Sequence, residues 1–193
     1  MKIGIVALQG AFIEHCRIFQ KLGLKTKEVR LPADLDGVQG LVIPGGESTT
    51  ILKLMQGYQL VESIKKLAGE NIPVWGTCAG LICLAKNVFN PDGSLMPTLG
   101  LMDIAVRRNA SGRQVDSFEV QLDVVPFKEG PFPGVFIRAP YIDNVGEGVE
   151  VLARLPDDII VAARQKNLLA TSFHPELTDD VRFHRYFSDM LRH

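Results

Sequence analysis

Apolar and polar positions along this chain follow first one period and then the other. Residues 2–8 form an apolar run of strand length, and residues 11–22 then set Phe12, Cys16 and Phe19, with His15 and Leu22, at helical spacing before the stop signal Gly23. Residues 24–31 and 40–44 are the next predicted strands, the second ending in Gly45-Gly46. Ser48 is the expected cap of a helix running through Met55, and a further helix is expected over 60–67. A short buried strand, 73–76, leads into a helix over 81–86. Beyond Asn90-Pro91-Asp92-Gly93 the pattern becomes strand-like and broken, over 101–108, 117–125, 134–138, 149–154, 159–164 and 168–173, with turn residues at Asp157-Asp158 and Lys166-Asn167. A last helix is expected after Thr178, with Asp179 and Asp180 at the positive end of its dipole. Strands alternating with helices and followed by hairpins predict a three-layer α/β fold: a mainly parallel, doubly wound sheet with an antiparallel extension. No linker or repeat divides residues 1–193, so one domain is expected.

Composition narrows the function classes. With 46% hydrophobic and 22% charged residues and a net charge of −1, the chain is ordinary globular material. Near-neutral charge argues against non-specific nucleic-acid binding and against an anionic membrane surface. The apolar runs are too short to span a bilayer, and the opening residues leave no room for a signal peptide. Three cysteines, Cys16, Cys78 and Cys83, do not form a disulfide framework and fit a reducing, cytoplasmic compartment. Cys16 and Cys83 lie in apolar patterns and read as structural. There is no CxxC or HExxH pattern, so no metal or cofactor is expected.

The candidate chemistry sits in three windows. In Trp75-Gly76-Thr77-Cys78-Ala79-Gly80 a nucleophile occupies a strand-to-helix turn whose tightness demands small neighbours. Cys78 would face the backbone N–H groups of a helix start, and the Ala79 N–H is placed to hold half of an oxyanion hole. In Ser172-Phe173-His174-Pro175-Glu176 an extended step would bring the Glu176 carboxylate to the His174 imidazole, as a base and its orienter require. In Ile43-Pro44-Gly45-Gly46-Glu47-Ser48-Thr49-Thr50 two glycines could turn N–H groups toward a ligand and complete the oxyanion hole, without the spacing or Lys of a phosphate loop. Each window alone also fits a structural turn. Arg138 is a guanidinium in an otherwise apolar strand and needs an acidic partner or a ligand carboxylate.

The ordered segments LQGA (8–11), PGGEST (44–49), GTCAG (76–80), RNxxGRQxxSFE (108–119), FIRAP (136–140) and SFHPELT (172–178) resemble the family of glutaminase subunits of pyridoxal 5′-phosphate synthase, within the class I, triad-type glutamine amidotransferases. The resemblance implies Cys78 as nucleophile, His174 as general base and acid, and Glu176 as its orienter. It also implies glutamine contacts from Gly46, Glu47, Ser48, Arg108, Ile137 and Arg138, an oxyanion hole at Gly46 and Ala79, and a partner-facing role for Gln9. The implied partner is a (β/α)₈ synthase subunit in a hetero-oligomer, which combines the ammonia with ribose 5-phosphate and glyceraldehyde 3-phosphate. Ile82 stands where most class I members carry Gln, as is common in the pyridoxal pathway, and Ser111 replaces an aromatic. Residues 87–98 match nothing specific and are expected to be a variable loop.

Three other functions are weighed against this one. The glutaminase subunit of imidazole glycerol phosphate synthase shares the triad but is not expected to carry the 108–119 and 136–140 segments together. A catalytically silent regulatory subunit would not need an intact Cys-His-Glu set. An α/β-hydrolase acting on esters would place its acid before the His, not two residues after it.

Overall fold

The computed structural model describes residues 1–90, 92–107 and 117–192. The first half winds as β1 (Lys2–Val6), α1 (Phe12–Lys21), β2 (Lys25–Val29), β3 (Gly40–Ile43), α2 (Ser48–Gly57), α3 (Leu60–Gly69), β4 (Val74–Thr77) and α4 (Ala79–Leu84). Then follow β5 (Ala85–Phe89), β6 (Met102–Arg107), β7 (Ser117–Leu122), β8 (Phe132–Ile137), β9 (Tyr141–Val145), β10 (Glu150–Arg154), β11 (Ile160–Gln165), β12 (Leu168–Thr171) and α5 (Arg182–Met190). Among the described residues the large sheet has ten strands, in the order β2-β1-β3-β4-β12-β11-β9-β6-β5, with β10 paired to β11. From β2 to β12 neighbouring strands are parallel, whereas β11 runs antiparallel to β12, β10 and β9. Strands β7 and β8 form a separate antiparallel ribbon. The predicted parallel sheet with an antiparallel extension is the observed architecture.

Side-chain alternation along the strands separates two cores. Leu41, Ile43 and Val74 pack on one face with Ile51, Met55, Leu60 and Ile64 of α2 and α3. Val42 and Trp75 point to the other face, where Phe19 of α1 and Phe183 and Phe187 of α5 cover them. Helices therefore lie on both faces, and the carboxyl ends of β3, β4 and β12 open onto one edge, where doubly wound sheets place their sites. No helix among the described residues is long and apolar enough to cross a membrane.

Several local expectations are corrected. Helix α4 stops at Leu84, and the chain turns at once into β5, so Lys86 is in a strand rather than in the last turn of a helix. The variable loop expected over 87–98 is accordingly part strand: Asn87, Val88 and Phe89 pair with Ala105, Val106 and Arg107. Strand β9 had no counterpart in the sequence pattern, and β7 ends at Leu122 rather than at 125. Glu47, not Ser48, caps α2: its carboxylate accepts from the Thr49 and Thr50 N–H groups at 3.0 and 2.7 Å. The last helix starts at Arg182, with Asp180 accepting from the Arg182 N–H at 3.0 Å.

Candidate active site

Strand β4 delivers Cys78 to a strained turn. Its backbone adopts φ 48°, ψ −105°, outside the regions an L-residue normally occupies, and α4 begins at the next residue. The turn is held by the Cys78 N–H donating to the Thr171 carbonyl at 2.8 Å and by the Leu81 N–H donating back to the Cys78 carbonyl at 3.1 Å. Two glycines make it possible. A Cβ on Gly80 would lie 1.8 Å from the Ile43 carbonyl oxygen, and one on Gly76 would overlap the Gly80 backbone. The sequence requirement for small neighbours is thus a requirement for backbone contact between β3, β4 and α4.

Strand β12 leads through Ser172 and Phe173 to His174, whose N–H donates to the Val135 carbonyl at 2.8 Å. The next three residues, Pro175–Leu177, form a 3₁₀ turn with His174 at its start. This tight turn, rather than the extended step expected from the sequence, brings the Glu176 carboxylate to the imidazole: His174 Nδ1 is 2.7 Å from Glu176 Oε1. Burial alone would lower the His174 pKa. Hydrogen bonding to Cys78 and Glu176, together with their charge, outweighs it and raises the value to about 10. Burial likewise opposes ionisation of Glu176, yet His15, then the bond to His174 and its charge, hold the carboxyl below its ordinary range. The site therefore favours an imidazolium beside the Glu176 carboxylate. Burial raises the Cys16 thiol and pushes that of Cys83 up to about 12.

Cys78 and His174 open onto a cavity of about 440 Å³ whose walls also include Gln9, Gly46, Glu47, Ser48, Ala79, Ile137 and Arg138. All the predicted site residues described by the structure meet there except Glu176, which sits behind His174. Arg108 lies outside the described residues. Ile82 and Pro140 also line the cavity, although no binding role was expected of them. Arg138 is not inside a strand as predicted. It follows the end of β8, is exposed, and has φ 43°. The Glu47 carboxylate is committed to α2, and its bonds to Thr50 and Thr49 outweigh burial to lower its pKa to about 2. At the back of the Gly45-Gly46 turn, Gln9 Oε1 accepts from the Glu47 N–H at 2.7 Å, and the Gly45 carbonyl accepts from the Ala11 N–H at 3.2 Å.

Two residues with evident bearing on the site escaped sequence reasoning. His15 is buried against Glu176 and Thr77, and His184 is buried against His15. A polar side chain on the apolar face of a predicted helix was the available signal for His15.

Comparison with known proteins identifies the family. The chain is 58% identical over 192 residues to the pyridoxal 5′-phosphate synthase subunit PdxT of Dehalococcoides mccartyi, covering 100% of this chain and 98% of that protein. It is 59% identical over 187 residues to the PdxT subunit of Herpetosiphon aurantiacus, covering 97% and 98%. A crystal structure of a glutamine amidotransferase superposes with a TM-score of 0.91 at 48% identity, covering 99% of both chains. A putative GMP synthase subunit from Thermoplasma acidophilum, at 19% identity and a TM-score of 0.72, shares the fold alone. Residues 5–193 match the SNO glutamine amidotransferase family, and the chain belongs to that family.

Proposed function

We propose that the chain hydrolyses L-glutamine to glutamate and ammonia and hands the ammonia to a synthase subunit that builds pyridoxal 5′-phosphate. The observation that carries this reading is the line of groups from Cys78 through His174 to Glu176, opening on one side onto a cavity of about 440 Å³. A free His-Glu pair needs no nucleophile, and a buried cysteine needs no strained turn. Together they fit nucleophilic attack on an amide.

The Cys78 thiolate attacks the side-chain amide carbon of glutamine, and the carbonyl electron pair moves to oxygen. N–H groups at Ala79 and the Gly46 turn hold that oxyanion. The tetrahedral intermediate collapses as the His174 imidazolium gives its proton to the departing nitrogen, releasing ammonia and leaving a glutamyl thioester. Neutral His174 then takes a proton from water, whose oxygen attacks the thioester. Glutamate leaves, and Cys78 returns to thiolate beside a reprotonated His174. Glu176 stays ionised and keeps Nδ1–H of the ring toward itself, leaving Nε2 for the chemistry. Gly46, Glu47, Ser48, Ile137 and Arg138 bind glutamine, with Arg138 on its α-carboxylate and Glu47 acting through its backbone, since its side chain is engaged. Gln9, tied to the same turn, couples the oxyanion hole to the docked synthase subunit. We place the resulting hetero-oligomer in the cytoplasm.

The test combines the purified chain with a synthase subunit, glutamine, ribose 5-phosphate and glyceraldehyde 3-phosphate, and follows glutamate and pyridoxal 5′-phosphate. Both products are expected, and both are lost in Cys78→Ala. Glutamate without pyridoxal phosphate would keep the glutaminase and reject the pathway. No glutamate from the unaltered chain rejects both.

A further inference from the structure

Behind the triad, outside the cavity lining, two more imidazoles are enclosed. His15 on α1 and His184 on α5 are both fully buried. His15 Nδ1 lies 2.9 Å from His184 Nε2, and His15 Nε2 lies 3.4 Å from Glu176 Oε2 and 3.3 Å from Thr77 Oγ1. Trp75 meets both rings edge to face, at centroid separations of 5.5 and 5.0 Å, and Phe19 meets His184 at 4.9 Å. Neither ring can turn without displacing the aromatic core.

Burial lowers the pKa of His15 to about 3, with His184 and His174 adding to the effect and the Glu176 charge opposing it; burial does the same to His184. Each ring is therefore neutral near pH 7, with one N–H and one lone pair. Two arrangements are possible. If His15 Nδ1–H donates to His184, a His15 lone pair faces the Glu176 carboxylate, and the Nδ1–H of His184 is buried without an acceptor. If instead His184 Nε2–H donates to His15 Nδ1, then His15 Nε2–H points at Glu176 Oε2 and Thr77 Oγ1. The group left alone is then only the lone pair on His184 Nδ1, which is less costly to bury than an orphan donor. The second arrangement removes the repulsion and aims both N–H groups toward the carboxylate.

We infer that His15, held in this tautomer by His184, is a positioning residue for the triad, its Nε2–H facing Glu176 Oε2 so that Oε1 stays on His174. Among the described residues Oε2 has no hydrogen-bond partner of its own, and at 3.4 Å the contact with His15 is that of a dipole on an ion rather than a full hydrogen bond. It opposes rotation of the carboxylate and offsets part of the cost of burying it. Thr77, beside Cys78, fixes the same N–H from the nucleophile's strand. The inference rests on the glutaminase reading above.

Three substitutions at His15 test it, in the full chain assayed with the synthase subunit for glutamate release. Gln carries an amide N–H group to about the place of imidazole Nε2, Asn places one near Nδ1, and Leu carries none. His15→Gln is expected to stay within about threefold of the unaltered kcat. His15→Asn and His15→Leu are expected to lose on the order of tenfold, a little below the range of a full hydrogen bond to a charged group, with the KM for glutamine within about twofold. Melting temperatures measured on the same preparations separate positioning from folding. The inference is overturned if Gln and Asn give equal kcat, if Leu retains full kcat, or if losses follow melting temperature alone. An inactive unaltered chain would instead overturn the glutaminase reading, leaving the two failures distinguishable.

Discussion

Gly80 packs against the Ile43 carbonyl with no space for a side chain: a Cβ there would sit 1.8 Å from the oxygen. This approach locks the first turn of α4 onto the end of β3, and so fixes the direction in which Cys78 leaves β4. Gly80→Ala must push apart backbone on both sides, which costs about 3 kcal/mol and lowers the melting temperature by roughly 10 °C. Gly57→Ala is the control, because nothing lies within 4 Å of a Cβ at that position. It is neutral or stabilising by up to about 1 kcal/mol. Equal melting temperatures for the two variants would refute the packing account of the elbow.

Stability should fall as the solution is acidified from neutrality. His15 and His184 titrate near 3 in the folded chain and near their ordinary 6.5 when unfolded. Between those values the unfolded state binds more protons, so stability is lost as pH falls, at about 1.4 kcal/mol per pH unit for each ring. His174 has the opposite sign: raised to about 10, its contribution is fully present below 6.5 and is lost as pH rises through 10. Denaturant melts between pH 6.5 and 5, where ordinary carboxylates stay ionised, should show the decline, and His184→Phe should make it shallower. A flat profile in that window would contradict two neutral buried imidazoles.

The elbow was legible in the sequence because a tight strand-to-helix turn restricts residues at fixed offsets, and Gly76, Ala79 and Gly80 satisfy it locally. His174 and Glu176 were legible for the same reason, being two residues apart, although a 3₁₀ turn and not an extended step joins them. Strand β5 was not legible. The apolar run 81–85 suits helix and strand alike, and only pairing of Ala85 with Met102 decides where α4 stops. Strand β9 was hidden because Asp143 and Asn144 look like loop residues, and its place is set by β6. The bond from His15 to His184 spans 169 residues, so no local pattern could have announced it.

Of the three thiols, one should matter to chemistry. Cys78→Ala removes the proposed nucleophile from a turn that already tolerates Ala79, so glutamate release should vanish while the melting temperature is retained. Cys83 is fully buried with its thiol pushed up to about 12, and Cys16 is half-buried on α1. Cys83→Ala and Cys16→Ala should each cost roughly 1 kcal/mol as small truncations and leave kcat unchanged. Residual activity of more than a few per cent in Cys78→Ala would sink the nucleophile assignment.

Arg138 stands at the cavity wall in a left-handed backbone conformation that presents its guanidinium from the end of β8. Arg138→Lys keeps the charge but not the planar pair of donors that grips a carboxylate. It should raise the KM for glutamine by about tenfold and leave kcat within a factor of two. A lower melting temperature with unchanged kinetics would assign Arg138 to the fold instead.

The last prediction concerns Gln9 and the partner. The Gly45-Gly46 turn is held from behind by two bonds: Glu47 N–H donates to Gln9 Oε1, and Ala11 N–H donates to the Gly45 carbonyl. Gln9 fits closely, since a Cβ on Gly46 would overlap its side-chain oxygen. Any reorientation of a peptide in this turn toward the substrate oxyanion must therefore disturb Gln9 or Ala11, both of which lie just beyond β1, the stretch on which we propose the synthase subunit acts. One missing oxyanion donor is worth about 3–4 kcal/mol, or several-hundred-fold in rate. Little turnover is expected from the chain alone, and a rise of at least about tenfold when the synthase subunit is added at saturating glutamine. Gln9→Ala should blunt that rise while glutamine still binds, measured by titration calorimetry on a Cys78→Ala background. Equal turnover with and without the synthase subunit would rule the coupling out, and full activation of Gln9→Ala would remove Gln9 from it.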